Sequence, residues 1–152
     1  MGRFRGQSEH ALDGKGRLNV PARFRDVLMR EYGDRLIITP PWPKSNCLRI
    51  YPLAEWEKHE SSLLGMEQKP PHVQWMIRYL VGGSVECRID KNGRILLPVK
   101  SRTELNLKKE VMMNGMLTFF EIWDKKTWEK EIAISDENFE DFQATFNELG
   151  IF

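Results

Sequence analysis

Asp13 and Arg17 stand four residues apart around Gly14-Lys15-Gly16. A carboxylate and a guanidinium at that spacing can close an ion pair across a tight turn, and a turn so held would present Lys15 outward. Arg17 could then bond bidentately to a planar acceptor edge such as that of guanine, while Lys15 would act as a point charge on phosphate. The arrangement returns 77 residues later as Asp90-Lys91-Asn92-Gly93-Arg94, with Pro21 and Pro98 following the two arginines at equal distance. An exposed pair of this kind contributes only about 0–1 kcal/mol, so stapling the turn is by itself a sufficient role for Asp13–Arg17 and Asp90–Arg94. The basic surroundings of the first copy (Arg3, Arg5, Arg23 and Arg25) favour contact with an anion there.

Other chemistries find little support. Gly14-Lys15-Gly16 lacks the leading glycine spacing and the Ser/Thr of a phosphate loop, so a small phosphate-handling enzyme rests on that fragment alone. His10, His59 and His72 have no metal-ligand spacing with one another or with Cys47 and Cys87. Neither a nucleophile elbow nor a zinc-protease helix motif occurs. His10 reads as a packing or hydrogen-bonding residue, since it lacks an orienting partner. We therefore expect no catalytic residue, no metal and no cofactor.

The elements that must position the two turns are also duplicated. Arg25 and Leu28 match Arg102 and Leu105 at an offset of 77, Leu36-Ile37-Ile38 matches Val111-Met112-Met113 at 75, and Trp56-Glu57-Lys58 matches Trp128-Glu129-Lys130 at 72. A shrinking offset places the lost residues in loops. Each half reads strand, turn, strand, helix, strand, strand, and neither is large enough to bury a core alone. Gly16 and Gly93 suit backbone of positive φ, and Pro21 and Pro98 suit a helix start. Strands are predicted over 35–39 and 47–51, then over 110–114 and 117–123, with Asn114-Gly115 as a tight primed hairpin turn. Between the copies, helices are predicted over about 54–65 and 71–81. The second should bury a stripe of Val73, Met76, Ile77 and Leu80, widened by Trp75 and Tyr79. The spacing of the tryptophans reads as core, not as a stacking platform for single strands.

Hydrophobic content of 41% with five Trp and eight Phe supports a packed core in 152 residues. Two cysteines without close spacing, the polar start of the chain and the absence of a long apolar run predict a reduced, cytoplasmic chain with no membrane partner. The formal net charge is +1, but residues 135–152 hold five acids and no Lys or Arg, leaving +6 on the body. A basic body with an acidic tail suits a polyanion partner. The tail should be a helix with Phe139, Phe142, Phe146 and Leu149 on one face, docking on a neighbour. That apolar excess motivates a second reading, an oligomeric protein-interaction or antitoxin-like module.

The stretches Glu9-His10-Ala11-Leu12-Asp13-Gly14-Lys15-Gly16-Arg17, Pro21-Ala22-Arg23-Phe24-Arg25 and Tyr51-Pro52-Leu53-Ala54-Glu55-Trp56, with the second Asp90-to-Pro98 copy, resemble the MraZ transcriptional regulators. The resemblance runs from Phe4 to about Trp128. It implies an α+β, β-rich fold in which two tandem AbrB-like β-β-α-β-β units form a pseudo-twofold swapped-hairpin barrel with linker and C-terminal helices. The implied division is 7–54 for the first unit, 55–82 for a helical linker, 83–126 for the second unit and 127–152 for the acidic tail. It further implies a ring-shaped homo-oligomer, an octamer or larger, associated with the nucleoid. That ring would bind tandem short G-rich repeats in double-stranded promoter DNA of the division and cell-wall gene cluster, mainly as a repressor, with no small-molecule substrate. Asp13, Lys15, Arg17 and Arg25 fall on the first family motif, and Asp90, Arg94 and Arg102 on the second. The second turn departs by carrying Asn92 where the first has Lys15, so DNA contact is expected from the first copy: Lys15, Arg17, Arg3, Arg5 and Arg25. Asp13, Gly16, Asp90, Gly93 and Arg94 then serve the turn architecture.

Overall fold

The computed structural model describes residues 2–152. Strand β1 (Gln7–Ala11) leads into the first Asp–Arg turn, followed by β2 (Arg17–Asn19), α1 (Ala22–Glu31), β3 (Arg35–Ile38) and β4 (Leu48–Pro52). Helices α2 (Leu53–Leu64) and α3 (Pro71–Met76), the latter continued by a π-turn over Ile77–Val81, join the two copies. The second copy repeats the order with β5 (Val85–Arg88), β6 (Arg94–Leu96), α4 (Val99–Glu104), β7 (Glu110–Gly115) and β8 (Phe120–Asp124). Helices α5 (Lys125–Ile132) and α6 (Asp136–Leu149) close the chain. The fold is α+β: a six-stranded antiparallel sheet ordered β1-β7-β8-β4-β3-β5, a two-stranded ribbon β2-β6, and helices.

Pairing runs between the copies. β1 of the first copy lies on β7 of the second, and β5 of the second lies on β3 of the first. Exchanging equivalent strands returns the same sheet order, because β1 and β5, β7 and β3, and β8 and β4 are counterparts. The registers obey that exchange: Leu18 faces Ile95 at the middle of the ribbon, and Arg49 faces Glu121 at the middle of the β4–β8 pair. Neither half can complete its hydrogen bonding without the other, since an unpaired strand edge buried against a core is costly.

Period-two alternation turns Leu18 and Ile95 inward, where they join Phe4, Phe24, Leu36 and Phe120 in one core with almost no solvent exposure. Phe4 packs edge-on to Phe24 at 5.4 Å and at 5.3 Å from Phe120. Pro21 and Pro98 stand at the helix N-cap, one residue ahead of the expected first turn, because their φ of −54° and −59° with extended ψ suits the cap.

Three expectations are corrected. Asn114-Gly115 does not form the turn: both residues belong to β7, and the chain reverses at Met116–Phe119 with Leu117 at φ 68°. Gly115 is needed because the backbone of Phe4 and Arg5 passes where its Cβ would be. The linker stripe is not buried within the chain; Leu80 is, whereas Met76 is exposed and Val73 and Ile77 are half-buried. Trp75 is 52% exposed and stacks on Tyr79, so it departs from the core reading of the tryptophans. Helix α6, capped by Ser135 and ended by Gly150 at φ 70°, has no buried residue, and Phe139 and Phe142 stay half-exposed. Its Phe146 packs on Phe152 with ring centres 5.9 Å apart.

Candidate nucleic-acid interface

The two Asp–Arg turns are built alike. The Oδ1 atom of Asp13 accepts from the backbone N–H groups of Lys15 (2.9 Å) and Arg17 (2.8 Å), and Oδ2 accepts from Arg17 Nε at 2.7 Å. In the second turn Asp90 Oδ1 accepts from Asn92 (2.8 Å) and Arg94 (3.0 Å), and Oδ2 from Arg94 Nε at 3.1 Å. Gly16 and Gly93 adopt φ of 84° and 76°, which a side chain would strain. The backbone N–H and then the guanidinium of Arg17 hold the Asp13 carboxyl down to about 2, and the Arg94 backbone N–H likewise lowers that of Asp90. Both acids are charged at neutral pH, which keeps each arginine tethered through Nε, and its other nitrogens make no hydrogen bond among the described residues.

The turns cap opposite ends of the β2–β6 ribbon. Val20 donates its N–H to the Gly93 carbonyl at 2.9 Å, and Leu97 donates to that of Gly16 at 2.8 Å. With Leu18 and Ile95 facing inward, the outer face presents Arg17 and Asn19 from one strand and Arg94 and Leu96 from the other. Arg17 sits opposite Leu96, and Arg94 opposite Asn19, so the two arginines are diagonal neighbours about 7–8 Å apart. Lys15 and Lys91 are exposed in the flanking turns. An outward two-stranded ribbon of this width is one of the shapes the major groove admits.

The remaining basic residues are distributed differently from the expectation. Arg25 lies against Gly93 of the second turn, and its counterpart Arg102 lies against Gly16 of the first, an exchange that follows from the swapped strands. Arg3 is near Tyr32 and Glu55, beyond the C-terminal end of α1, whereas the first turn precedes the N-terminal end of that helix. Arg5 is exposed, and its carbonyl accepts from Arg23 Nε at 3.1 Å. Of the five expected contact residues, Lys15 and Arg17 therefore share the ribbon surface. Arg25 serves the other turn, and Arg3 sits apart. Sequence reading missed Arg94, Asn19, Leu96 and Lys91 as members of the same face; the equal phase of Arg17-Leu18-Asn19 and Arg94-Ile95-Leu96 was the available signal.

His10 is hydrogen-bonded to Ser8 Oγ at 2.7 Å, and burial, aided by the Arg23 charge, lowers its pKa. Among the described residues no group of three or more His, Cys, Asp or Glu side chains converges as metal ligands. No described helix is long and apolar enough to cross a membrane.

A family model described as "MraZ protein, putative antitoxin-like" matches residues 3–71 and again 80–149. A protein of Syntrophobacter fumaroxidans named transcriptional regulator MraZ is 43% identical over 137 residues, covering 90% of this chain and 89% of its own length. Proteins of the same name from Shewanella violacea and Thermoanaerobacter pseudethanolicus are 41% and 38% identical over 145 and 146 residues. Those alignments cover 95% and 96% of this chain, and 95% and 98% of the relatives.

Proposed function

The chain belongs to the MraZ family, and from that premise we propose that it is a DNA-binding transcriptional regulator, not an enzyme, which grips the double helix through the β2–β6 ribbon. One observation carries this reading: the β2–β6 pairing sets Arg17 and Arg94 as diagonal neighbours on one outward face, with Lys15 and Lys91 in the turns at its two ends. Each arginine is tethered to its aspartate by Nε and keeps the outer nitrogens for a guanine edge, while the lysines meet phosphate. On this reading both copies contribute to a single contact surface, where the sequence alone pointed to the first. Asp13, Gly16, Asp90 and Gly93 hold the geometry. Arg25 and Arg102 brace the opposite turns.

The finer points belong to the same proposal. The exchange of strands between halves supports a swapped-hairpin body made jointly from 7–54 and 83–126, closing as a pseudo-twofold barrel, with 55–82 as linker and 127–152 as acidic tail. The unpartnered apolar faces at Trp75 and along Phe139–Phe142 support assembly with further copies, as a ring of eight or more. A ring would present the ribbon repeatedly to tandem G-rich repeats upstream of its own division and cell-wall gene cluster, adding avidity without new contacts. It would act there mainly as a repressor, in the cytoplasm at the nucleoid.

The test is a mobility-shift titration against DNA from upstream of its own gene at two salt concentrations, with native mass measured alongside. Arg17→Ala and Arg94→Ala should each cost about 1–3 kcal/mol of specific binding with oligomer mass unchanged. Lys15→Ala should weaken binding to all sequences and reduce the salt slope by about one. Undiminished specific binding by the double arginine variant would sink the ribbon assignment. The antitoxin-like alternative rests on the same exposed apolar faces; a stoichiometric protein partner with no DNA retention at either salt would favour it.

A further inference from the structure

Arg49 occupies a singular place in the fold. It stands at the centre of the β4–β8 pair, directly opposite Glu121. The two would be expected to neutralise each other, yet Glu121 is otherwise engaged. Its carboxylate accepts from Cys47 Sγ at 3.6 Å, Asn114 Nδ2 at 3.1 Å and Trp123 Nε1 at 3.1 Å. Arg49 turns away and makes one side-chain hydrogen bond, from Nη1 to Tyr51 Oη at 3.1 Å. Its guanidinium carbon lies 3.5 Å from the ring centre of Trp42 and 4.7 Å from that of Phe119. The Nε atom is shut off from solvent with no acceptor, and among the described residues Arg49 closes no salt bridge. Here is a cation held against aromatic faces with no carboxylate in salt-bridge contact among the described residues.

That cation lines a cleft of about 370 Å³, walled by Trp42, Tyr51, Trp56, Met76 and Leu80, with His59, Glu60 and Ser62 as its other polar lining. The volume is of the order that small-molecule sites use, and so is the chemistry: apolar and aromatic walls with a few polar groups to fix orientation. One wall is the π-turn over Ile77–Val81, a local departure from helix geometry that recurs at functional sites. A ligand for this cleft needs an apolar body for the tryptophans and one anionic group for Arg49. A carboxylate matches the planar guanidinium best.

We propose that the cleft binds a small amphipathic carboxylate, an aryl or branched-alkyl acid whose carboxylate meets Arg49 while its body lies between Trp42, Trp56 and Met76. The site is independent of the DNA-binding reading, because it uses none of the ribbon residues.

The experiment follows tryptophan fluorescence and ligand-observed NMR of the full chain titrated with 4-phenylbutyrate, using 4-phenylbutanamide and butyrate as controls. Saturable binding of 4-phenylbutyrate at millimolar concentration or below is expected, with the neutral amide weaker by about tenfold and butyrate not saturating. Arg49→Gln should erase the preference for acid over amide. Because Arg49 packs in the sheet, Val73→Trp provides a second test: Val73 is a half-exposed wall position, and filling the cleft there should abolish binding while melting temperature and native mass stay unchanged. Equal binding of acid and amide, retained binding in Val73→Trp, or no saturation by the acid would overturn the proposal. So would a changed native mass in Val73→Trp, which would assign the cleft to a neighbouring copy of the chain.

Discussion

Replacing Gly115 by alanine should evict the N-terminal strap from the fold. Gly115 lies in β7 opposite Phe120, and its N–H donates to the Gly6 carbonyl at 2.9 Å. A Cβ at this position would meet the Phe4 carbonyl carbon at 2.5 Å and the Arg5 nitrogen at 2.7 Å. Those atoms are backbone, so no side-chain rotation relieves the clash, and the strap must move. Phe4 would then leave its site against Phe24 and Phe120, where it has no exposed surface. Losing a buried phenylalanine costs ~3–5 kcal/mol. The two bonds exchanged by Phe4 and Leu117, with the one from Gly115 to Gly6, contribute ~0.5–1.5 kcal/mol each. Removing a strand glycine returns ~0.5–1 kcal/mol. The expected loss is about 4–9 kcal/mol, a large share of the ~5–15 kcal/mol of a typical domain. The assay is urea unfolding, at one fixed protomer concentration, of Gly115→Ala, Phe4→Ala and the double variant. If the strap is evicted, Phe4→Ala adds less than about 1 kcal/mol on top of Gly115→Ala. Additive costs, or a Gly115→Ala variant within about 1 kcal/mol of the parent, would refute the reasoning.

Three further outcomes are expected. The Asp13 carboxyl should titrate near 2 by carboxyl NMR; because its folded pKa lies below the unfolded ~3.9, the turn's stabilisation is complete well above that value, declines progressively below it and is gone once pH has fallen through about 2. A midpoint at the ordinary aspartate value would contradict the hydrogen bonding described. Burial, reinforced by the Glu121 carboxylate, pushes the Cys47 thiol far up, and burial followed by Glu86 raises Cys87 to about 11. At pH 8 a thiol reagent should therefore modify neither cysteine until the protein unfolds, and rapid labelling of Cys47 in the native state would contradict its placement. Removing residues 135–152 should lower the native mass, because the exposed Phe139 and Phe142 are the proposed contact with further copies, while the body keeps its sheet, since α6 buries no residue within the chain. An unchanged native mass would refute assembly through that face.

Much of the fold was legible in the residues because its signals are local. Gly16 and Gly93 announce turns, since positive φ is a property of the single residue. Pro21 and Pro98 mark helix starts, and the order strand-turn-strand-helix-strand-strand follows from short runs of Val, Ile and Leu between breakers. Asn114-Gly115 misled for the complementary reason. The pair carries a strong local hairpin signal, but Gly115 is required by a segment more than one hundred residues away, the strap at Phe4 and Arg5. The linker stripe misled because periodicity reports an apolar face without reporting what covers it; in this chain Met76 and Trp75 face outward or into the Arg49 cleft.

The amino-acid sequence by itself determined the duplication, the two Asp–Arg turns, and the separation of a basic body from an acidic tail. All of these are set by residue type and spacing along a few neighbours. Tertiary structure alone decided which copy completes which. With two near-equal halves, β1 has equivalent candidates for a partner in either copy, and no local propensity distinguishes them. Burying both halves in one core selects the crossed solution, β1 on β7 and β5 on β3. That crossing joins β2 to β6, exchanges Arg25 and Arg102 between the turns, and brings Arg17 and Arg94 to one face. Strand pairing is a long-range contact whose energy appears only when the chain closes on itself, so the shared surface was invisible until then.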